Sequence, residues 1–160
     1  MSVDKVKKYF ENTEISDKII IPERSSATVY LAAEALGVEP DMIAKTLSFL
    51  NDDGPVAIVT SGLSRIDNKK YKAFFLQKAK MIAHDEVEGL IGFPPGGVCP
   101  FAVNEGVKVY LDESLKKYDI VYPAAGDDCS AIRMTIPELE KYVTNYNGWI
   151  DVSKMPENND

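Results

Sequence analysis

The sequence predicts an α+β fold, with a curved, mostly antiparallel sheet of about seven strands flanked by roughly five or six helices. Short apolar runs separated by turn residues indicate strands, and they do not alternate regularly with helical segments as a wound parallel sheet requires. Two of these runs, at residues 45–50 and 55–61, are joined by the turn residues NDDG, which is typical of a hairpin. At 160 residues the chain can bury one core, so we expect a single domain at residues 1–152 and a C-terminal tail at 153–160.

The first third of the chain combines helical spacing of apolar residues with one short extended run. The predicted segments are a helix at residues 3–11, a strand at 19–22, a helix from a cap within 25–28 to Gly37, and a short helix at 40–44. Serine and threonine are suited to cap the second helix, and Gly37 admits the left-handed conformation that ends it. Pro40 is well placed in the first turn of the short helix.

The rest of the chain continues this mixture after the hairpin. The predicted segments are a helix opened by a capping box at 64–67, a strand at 80–83, a short helix capped by Asp85, strands at 107–111, 119–122 and 131–134, helical turns at 113–118, a helix at 137–143 and a strand at 149–152. Neither an internal repeat nor a low-complexity linker divides the chain, which supports one domain.

The charge and cysteine content exclude several classes of protein. A net charge of −7 argues against broad nucleic-acid binding, because neutralising phosphates requires clustered cations. The N-terminal segment lacks the apolar stretch of a signal peptide, and no apolar run is long enough to span a bilayer. The two cysteines, Cys99 and Cys129, are too few for a disulfide framework or a four-ligand metal site. We therefore expect a cytoplasmic protein with free thiols, no membrane association, and no bound metal or cofactor.

One segment departs from the acidic average. Between residues 65 and 80, one arginine and five lysines accompany a single acidic residue, Asp67. Such a patch is typical of a surface that contacts a phosphate backbone, and it is equally typical of a solvated helix face.

The least regular stretch is the loop IGFPPGGVCPF at residues 91–101. Its prolines lack a backbone donor and fix φ, whereas Gly96 and Gly97 admit positive φ and let a ligand approach the backbone closely. The prolines therefore make the loop rigid, and the glycines leave its backbone accessible to a ligand. By itself, this composition is also typical of a tight connection between two elements.

A lysine stands on the apolar face of the first hairpin strand. Because side chains alternate along a strand, Lys45 shares a face with Leu47 and Phe49. If that face covers the core, the lysine amine emerges at the core's edge, where it either reaches water or is held in a pocket. A lysine of this kind and a loop of free backbone donors can together polarise an ester carbonyl without a nucleophilic side chain.

The standard catalytic sets are missing from the sequence. The single histidine, His84, has no metal-binding or triad spacing around it, so we expect a structural or surface role. The paired aspartates at 52–53 and 127–128 fall in turns. Cys99 lies in the proline–glycine loop without a basic neighbour to lower its pKa, so we expect a packed thiol.

Several motifs resemble those of the YbaK/EbsC family, the free-standing relatives of the editing domain inserted in bacterial prolyl-tRNA synthetase. They are TVY at residues 28–30, LGV at 36–38, IAKTL at 43–47, GLSRID at 62–67, GGVCPF at 96–101, and AG at 125–126 before the strand that contains Ile132. The similarity covers residues 20–145. The ordered combination of a lysine–threonine strand start and a glycine loop makes it specific.

The resemblance implies hydrolysis of mischarged aminoacyl-tRNA in trans, by a domain with the fold of the prolyl-tRNA synthetase editing domain. It implies aminoacyl-tRNA as the partner, tRNA(Pro) or a related tRNA as the carrier, and a role in translation fidelity, with a synthetase partner left open. By analogy, Lys45 lies near the aminoacyl ester, and Gly96 and Gly97 contact its carbonyl region. The implied substrate-binding residues are Thr28, Tyr30, Thr46, Ser61, Gly62, Pro100 and Gly126.

An RNA substrate gives the basic patch a role. We expect Lys69, Lys70 and Lys72 to contact the tRNA acceptor stem. Some relatives carry an acidic residue where this chain reads CSA at 129–131, so the resemblance does not determine which amino acid is removed.

Two other functions are compatible with parts of the sequence. One is a non-catalytic binding or regulatory module of the same fold, but a binding relic has no need of both Lys45 and an intact glycine loop. The other is thiol redox chemistry at Cys99 or Cys129, which lacks a CxxC spacing or a basic partner.

Overall fold

The computed structural model describes residues 2–22, 28–127 and 130–156, and these form the predicted α+β fold. The strands are β1 (Ile19–Ile20), β2 (Ile43–Asn51), β3 (Gly54–Ser61), β4 (Arg65–Ile66), β5 (Lys108–Asp112), β6 (Ile120–Pro123), β7 (Ala131–Ile132), β8 (Met134–Thr135), β9 (Tyr146–Ile150) and β10 (Ser153–Lys154). The α-helices are α1 (Ser2–Tyr9), α2 (Val29–Leu36), α3 (Asn68–Phe75), α4 (Val87–Ile91) and α5 (Ile136–Tyr142). Short 3-10 helices span Ser16–Lys18, Pro40–Met42, His84–Glu86 and Glu113–Lys117.

Six of these strands form one curled sheet in the order β8-β6-β2-β3-β5-β9. The predicted hairpin is confirmed, because β2 and β3 pair antiparallel from Asn51 and Gly54 to Ala44 and Ser61. The pairs β2–β6, β3–β5 and β5–β9 are parallel. The pairs β1–β7, β4–β10 and β6–β8 are antiparallel. Over all the described strands the antiparallel pairs are the majority, but within the main sheet three of the five pairs are parallel, so that sheet is mixed instead of mostly antiparallel.

The main sheet separates two apolar cores. Alternate residues of β3 point to opposite faces, so Val59 belongs to the larger core while Ile58 belongs to the smaller one. The larger core is covered by α1, α4 and α5. The smaller core lies under α3, where the ring of Tyr71 packs against Phe49 at a centroid distance of 5.1 Å.

Helix ends follow the sequence closely where local capping decides them. Thr28 caps α2, its hydroxyl accepting the N–H of Leu31 at 3.1 Å, and Gly37 ends the helix with φ +70°. The other cap candidates, at 25–27, lie outside the described residues. At α5, Thr135 and Glu138 form the predicted capping box.

Some local predictions were wrong because tertiary contacts compete with the local pattern. The capping-box prediction at 64–67 misplaced the start of α3, whose cap is the carboxylate of Asp67, while Ser64 bonds the hydroxyl of Ser61 at 2.6 Å. The segment predicted as a helix at 40–44 is only a 3-10 turn, because Ile43 and Ala44 already pair with β6.

Other segments differ in extent. Residues 80–83 form a single bridge, between Phe49 and Met81, instead of a strand. Asp85 lies inside a 3-10 turn and provides no cap for α4. The strand predicted at 131–134 is divided into β7 and β8, which pair with different partners. Residues 153 and 154, placed in the tail by the sequence, form β10 against β4.

None of the helices within the described ranges has the length and apolar character needed to cross a bilayer.

Candidate functional site

A gap in the sheet positions the candidate site. On the side of β2 away from β3, pairing with β6 stops at Ala44, and a single bridge to Met81 follows at Phe49. Between these two points, no strand of the described residues pairs with β2. The carbonyl of Ser48 accepts the N–H of Ile82 at 3.2 Å, so the edge of β2 borders open space from Lys45 to Leu47.

A cavity of about 280 Å³ lies along this open edge. Its walls come from β2, the start of α2, the loop after α4, the segment after residue 80, and the neighbourhood of β6 and β7. Four of the predicted site residues line it: Thr28, Lys45, Thr46 and Gly96. Most of the remaining lining residues are small or apolar, so the cavity suits a compact group.

Lys45 is a half-buried cation that has no direct ion-pair partner within the described residues. Within the described part of the chain, its Nζ forms no hydrogen bond or ion pair. Burial lowers the pKa of Lys45 below its ordinary value, the charge of Arg65 lowers it further, and the charge of Asp41 opposes both. An anionic group bound in the cavity would supply the partner that Lys45 lacks.

Asp41 ties the start of β2 to the loop after β3. Its carboxylate accepts the N–H of Leu63 at 2.9 Å, the amine of Lys117 at 2.5 Å and the hydroxyl of Tyr118 at 3.1 Å. Burial alone would raise the pKa of Asp41, but the hydrogen bonds from Lys117 and Leu63 outweigh it and hold the pKa below its ordinary value. Asp41 therefore stays ionised as an anchor four residues before Lys45.

The proline–glycine loop forms a tight turn at the cavity. The N–H of Gly97 bonds the carbonyl of Pro94 at 3.0 Å, Pro95 occupies the second position, and Gly96 has φ +87°. This is the arrangement of a type II turn, which requires a residue with positive φ in the third position. The Gly97 donor is thus used inside the turn, and the N–H of Gly96 has no partner among the described residues.

Gly97 instead has a packing role. A Cβ placed on Gly97 would lie 2.6 Å from the carbonyl oxygen of Gly126 and 2.6 Å from the Cα of Asp127. Only glycine permits this approach of two backbones. Gly126, predicted as a substrate-binding residue, therefore stands behind the turn and supports it.

Four other predicted binding residues lie away from the cavity walls. Tyr30 is exposed on α2, and Pro100 is buried with its carbonyl accepting the N–H of Thr144 at 2.9 Å. Ser61 is fully buried, its hydroxyl bonded to that of Ser64. A Cβ on Gly62 would lie 2.1 Å from the carbonyl oxygen of Pro40, so this glycine is also needed for close packing.

The predicted RNA-binding lysines on and around α3 are not equivalent. Lys70 is held by Asp151 at 3.0 Å and by the carbonyl of Ser153 at 2.9 Å. Lys69 and Lys72 line a separate surface cleft together with Lys78. The structure therefore leaves two of the three predicted lysines facing a shared basic cleft.

The remaining reactive residues do not belong to the cavity. Cys99 is fully buried, and burial raises the pKa of its thiol to about 12, so the packed, protonated thiol expected from the sequence is what the fold contains. His84 lies in an exposed 3-10 turn. No cluster of metal-ligating side chains occurs within residues 2–22, 28–127 and 130–156. Cys129 lies outside these ranges.

Three polar residues at or beside the cavity were not predicted from the sequence. Ser48 and Ser130 line the cavity, and Asp41 lies just before β2, where its carboxylate accepts the N–H of Leu63. A serine within the apolar run LSFL was a usable signal for Ser48, because a polar residue in a buried strand needs a reason. Ser130 and Asp41 reach their places through contacts between distant segments, which no local pattern reveals.

Comparison with known proteins gives consistent matches. Residues 23–142 match the family profile of the aminoacyl-tRNA editing domain. YwhH of Bacillus subtilis (strain 168), whose function is uncharacterised, is 42% identical over 155 residues, which are 96% of this chain and 98% of YwhH. EbsC of Enterococcus faecalis, a proposed Cys-tRNA(Pro)/Cys-tRNA(Cys) deacylase, is 33% identical over 71% of this chain and 70% of EbsC. The crystal structure of a proposed trans-editing enzyme for prolyl-tRNA synthetase superimposes with a TM-score of 0.85 and 30% identity, over 96% of this chain and 97% of that one.

Proposed function

The chain belongs to the aminoacyl-tRNA editing domain family, within its YbaK/EbsC group, and we propose that it hydrolyses the ester bond of mischarged aminoacyl-tRNA in trans. One observation carries the proposal: Lys45, which has no ion pair within the described residues, and the turn at Gly96 line the same compact cavity. The described lining contains no histidine, carboxylate or cysteine side chain. Such a site suits an activated ester better than an amide, because it stabilises charge without supplying a nucleophile.

In the proposed reaction, water adds to the ester carbonyl carbon and the carbonyl oxygen takes up negative charge. We assign the N–H of Gly96 to that oxygen, because the turn leaves this donor without an internal partner. The bond between the carbonyl carbon and the ribose oxygen then breaks. The ribose oxygen receives the proton that the attacking water gives up, so the products are the free amino acid and uncharged tRNA.

We assign Lys45 the role of an electrostatic anchor. It is a cation at the cavity wall with no ion pair in the described part of the chain, and the substrate is a polyanion that would bring charge to it. The nearby carboxylate of Asp41 favours the protonated amine, whereas burial and Arg65 favour the neutral one. The sign of the pH dependence of activity separates an anchor from a general base.

The acceptor stem would lie on the basic cleft formed by Lys69, Lys72 and Lys78. These lysines line one cleft and create a local positive potential there. The protein as a whole has a net charge of −7, so most of the remaining surface repels phosphate. Lys70, which the sequence also favoured, is engaged by Asp151 and contributes less.

The identity of the tRNA is proposed from the relatives. EbsC is described as acting on Cys-tRNA(Pro), and the matched crystal structure is described in relation to prolyl-tRNA synthetase. We therefore propose tRNA(Pro) or a related tRNA as the carrier, and the cytoplasm, where translation takes place, as the location.

Release of amino acid from a panel of mischarged tRNAs tests the function. We expect the wild type to deacylate at least one mischarged tRNA, Lys45→Ala to lose that activity, and Cys99→Ser to keep it. Inactivity of the folded wild type on every tRNA would favour the binding module instead. Loss of activity in Cys99→Ser but not in Lys45→Ala would favour thiol chemistry.

A further inference from the structure

Met81 is an exposed apolar residue at the mouth of the cavity. It lines the cavity and is 60% exposed, and among the described residues it is the one large hydrophobic side chain of the lining that is exposed. A single apolar residue on a surface is common, so exposure alone indicates no function. The position of Met81 between the cavity and the basic cleft does indicate one.

Met81 lies on the same side of the sheet as Lys45. It forms an antiparallel bridge with Phe49, and residues directly opposite each other in such a pair point to the same side of the sheet. Phe49 also shares its side of β2 with Lys45, because the two are four residues apart on the strand. This is the side covered by α3, whose Tyr71 packs against Phe49. The exposed methionine therefore lies on the face that carries both Lys45 and α3.

The basic cleft ends two residues before Met81. Ala79 lines the cleft together with Lys69, Lys72 and Lys78, and it also packs against the smaller core under α3. Two residues of a chain span at most ~7 Å, so the cleft and the cavity are neighbours on this face. A strand of RNA that runs from the cleft to the cavity therefore crosses Met81.

We propose that Met81 is the platform for a base in the single-stranded 3′ end of the tRNA, namely the base of the nucleotide that precedes the aminoacylated adenosine. The inference rests on the proposed ester hydrolysis and names a positioning residue for its substrate. The cavity holds the ester, and the lysines of the cleft hold phosphates. Between them, the flexible and polarisable thioether of Met81 contacts the ring of the base. Every base has an aromatic face, so the contact does not depend on the nucleotide sequence.

The experiment compares wild type, Met81→Ser, Met81→Phe and Tyr146→Ser on three substrates that carry the same amino acid. These are the aminoacyl-tRNA, the aminoacylated trinucleotide CCA with which tRNAs end, and aminoacyl-adenosine. Tyr146 is the control, because it is 42% exposed but lies on β9, the outer strand of the main sheet three strands from β2.

The expected effect depends on whether the substrate contains the preceding nucleotide. Met81→Ser should raise KM about two- to tenfold for the tRNA and the trinucleotide, the loss of one contact between sulfur and a ring, with kcat unchanged. It should leave KM for aminoacyl-adenosine unchanged. Met81→Phe should keep or lower KM, because aromatic side chains stack on bases. Tyr146→Ser should change none of these values.

An equal rise in KM for aminoacyl-adenosine in Met81→Ser would overturn the proposal, because the methionine would then only shape the cavity. So would an unchanged KM for aminoacyl-tRNA, or an equal loss in Tyr146→Ser. Dissociation constants of uncharged CCA and of adenosine, measured by titration calorimetry, provide a second readout that needs no catalysis. If the wild type hydrolyses no ester but Met81→Ser weakens the binding of CCA and not of adenosine, the proposed hydrolysis fails while the platform stands.

Discussion

Replacing Gly97 with alanine tests whether the turn at residues 94–97, to which we assign a catalytic role, depends on backbone contact with Gly126. The added Cβ would lie 2.6 Å from the oxygen of Gly126, whereas ordinary van der Waals contact begins at 3.4 Å, so one backbone must retreat by 0.8 Å (3.4 − 2.6). Neither neighbour is a flexible side chain that could swing aside. The turn at residues 94–97 would therefore move relative to Lys45.

A displacement of this size has a calculable consequence. Misplacing a reacting group by about 1 Å can cost roughly 10²-fold in rate, so we expect Gly97→Ala to lower kcat by about 10²-fold. Overpacking should also lower the free energy of unfolding by about 1–3 kcal/mol. Amino-acid release from mischarged tRNA measures the first effect, and urea unfolding measures the second.

Gly89→Ala is the matched control. Gly89 lies in α4, and a Cβ there would meet nothing within 4 Å. Alanine should leave kcat unchanged and raise the free energy of unfolding by about 0.5–1 kcal/mol, because it removes the entropy cost of a helical glycine. A Gly97→Ala variant with the kcat of the wild type would refute the reasoning, since the turn would then tolerate the shift or take no part in catalysis.

Three further predictions concern charged side chains. If Lys45 acts as a cation, activity should fall as pH rises through a pKa below the ordinary lysine value, and a rise with pH would indicate a base instead. Because the folded pKa of Asp41 is lowered, its stabilisation is present above the ordinary carboxyl pKa and is lost as pH falls through the folded one. Asp41→Asn should therefore cost about 1.5–3 kcal/mol in urea unfolding at pH 7 and much less in acid, and an equal cost at both pH values would contradict this. Charge reversal of Lys69 or Lys72 should raise the KM for tRNA. It should also reduce the slope of log KM against log salt concentration by roughly one. Lys70→Ala should change KM less, because Asp151 already holds this lysine. Equal effects at all three lysines would argue against the basic cleft.

Features decided by neighbouring residues could be predicted from the sequence. The hairpin of β2 and β3 follows from two apolar runs around a turn, and the start of α5 follows from the capping box of Thr135 and Glu138. The α+β class, Lys45 on the first hairpin strand and the tight turn at Gly96 were likewise accessible. Each depends on dihedral preferences and hydrogen bonds within a few residues, which the local sequence specifies.

Features decided by distant segments could not be predicted in this way. The parallel pairing of β3 with β5 brings together residues about fifty positions apart, and the helix predicted at 40–44 is cut short because its last two residues pair with the distant strand β6. Ser61 and Gly62, for which the sequence predicts binding roles, lie away from the cavity walls and contact other elements. The residue types at these two positions are the same whether they bind substrate or pack against the protein. Only their contacts with distant segments distinguish the two roles.

Gly96 and Gly97 show most clearly which features depend on neighbouring residues and which depend on tertiary contacts. The sequence alone determined that Gly96 and Gly97 form a bare turn, because proline before them fixes φ and glycine admits positive φ. Only the tertiary structure decided their separate roles. The N–H of Gly97 donates to the carbonyl of Pro94, and a Cβ on Gly97 would lie 2.6 Å from the carbonyl oxygen of Gly126, which is 29 residues away. Gly96 borders the gap beside β2. A donor's availability depends on which distant atoms have already taken it, and that is a property of packing.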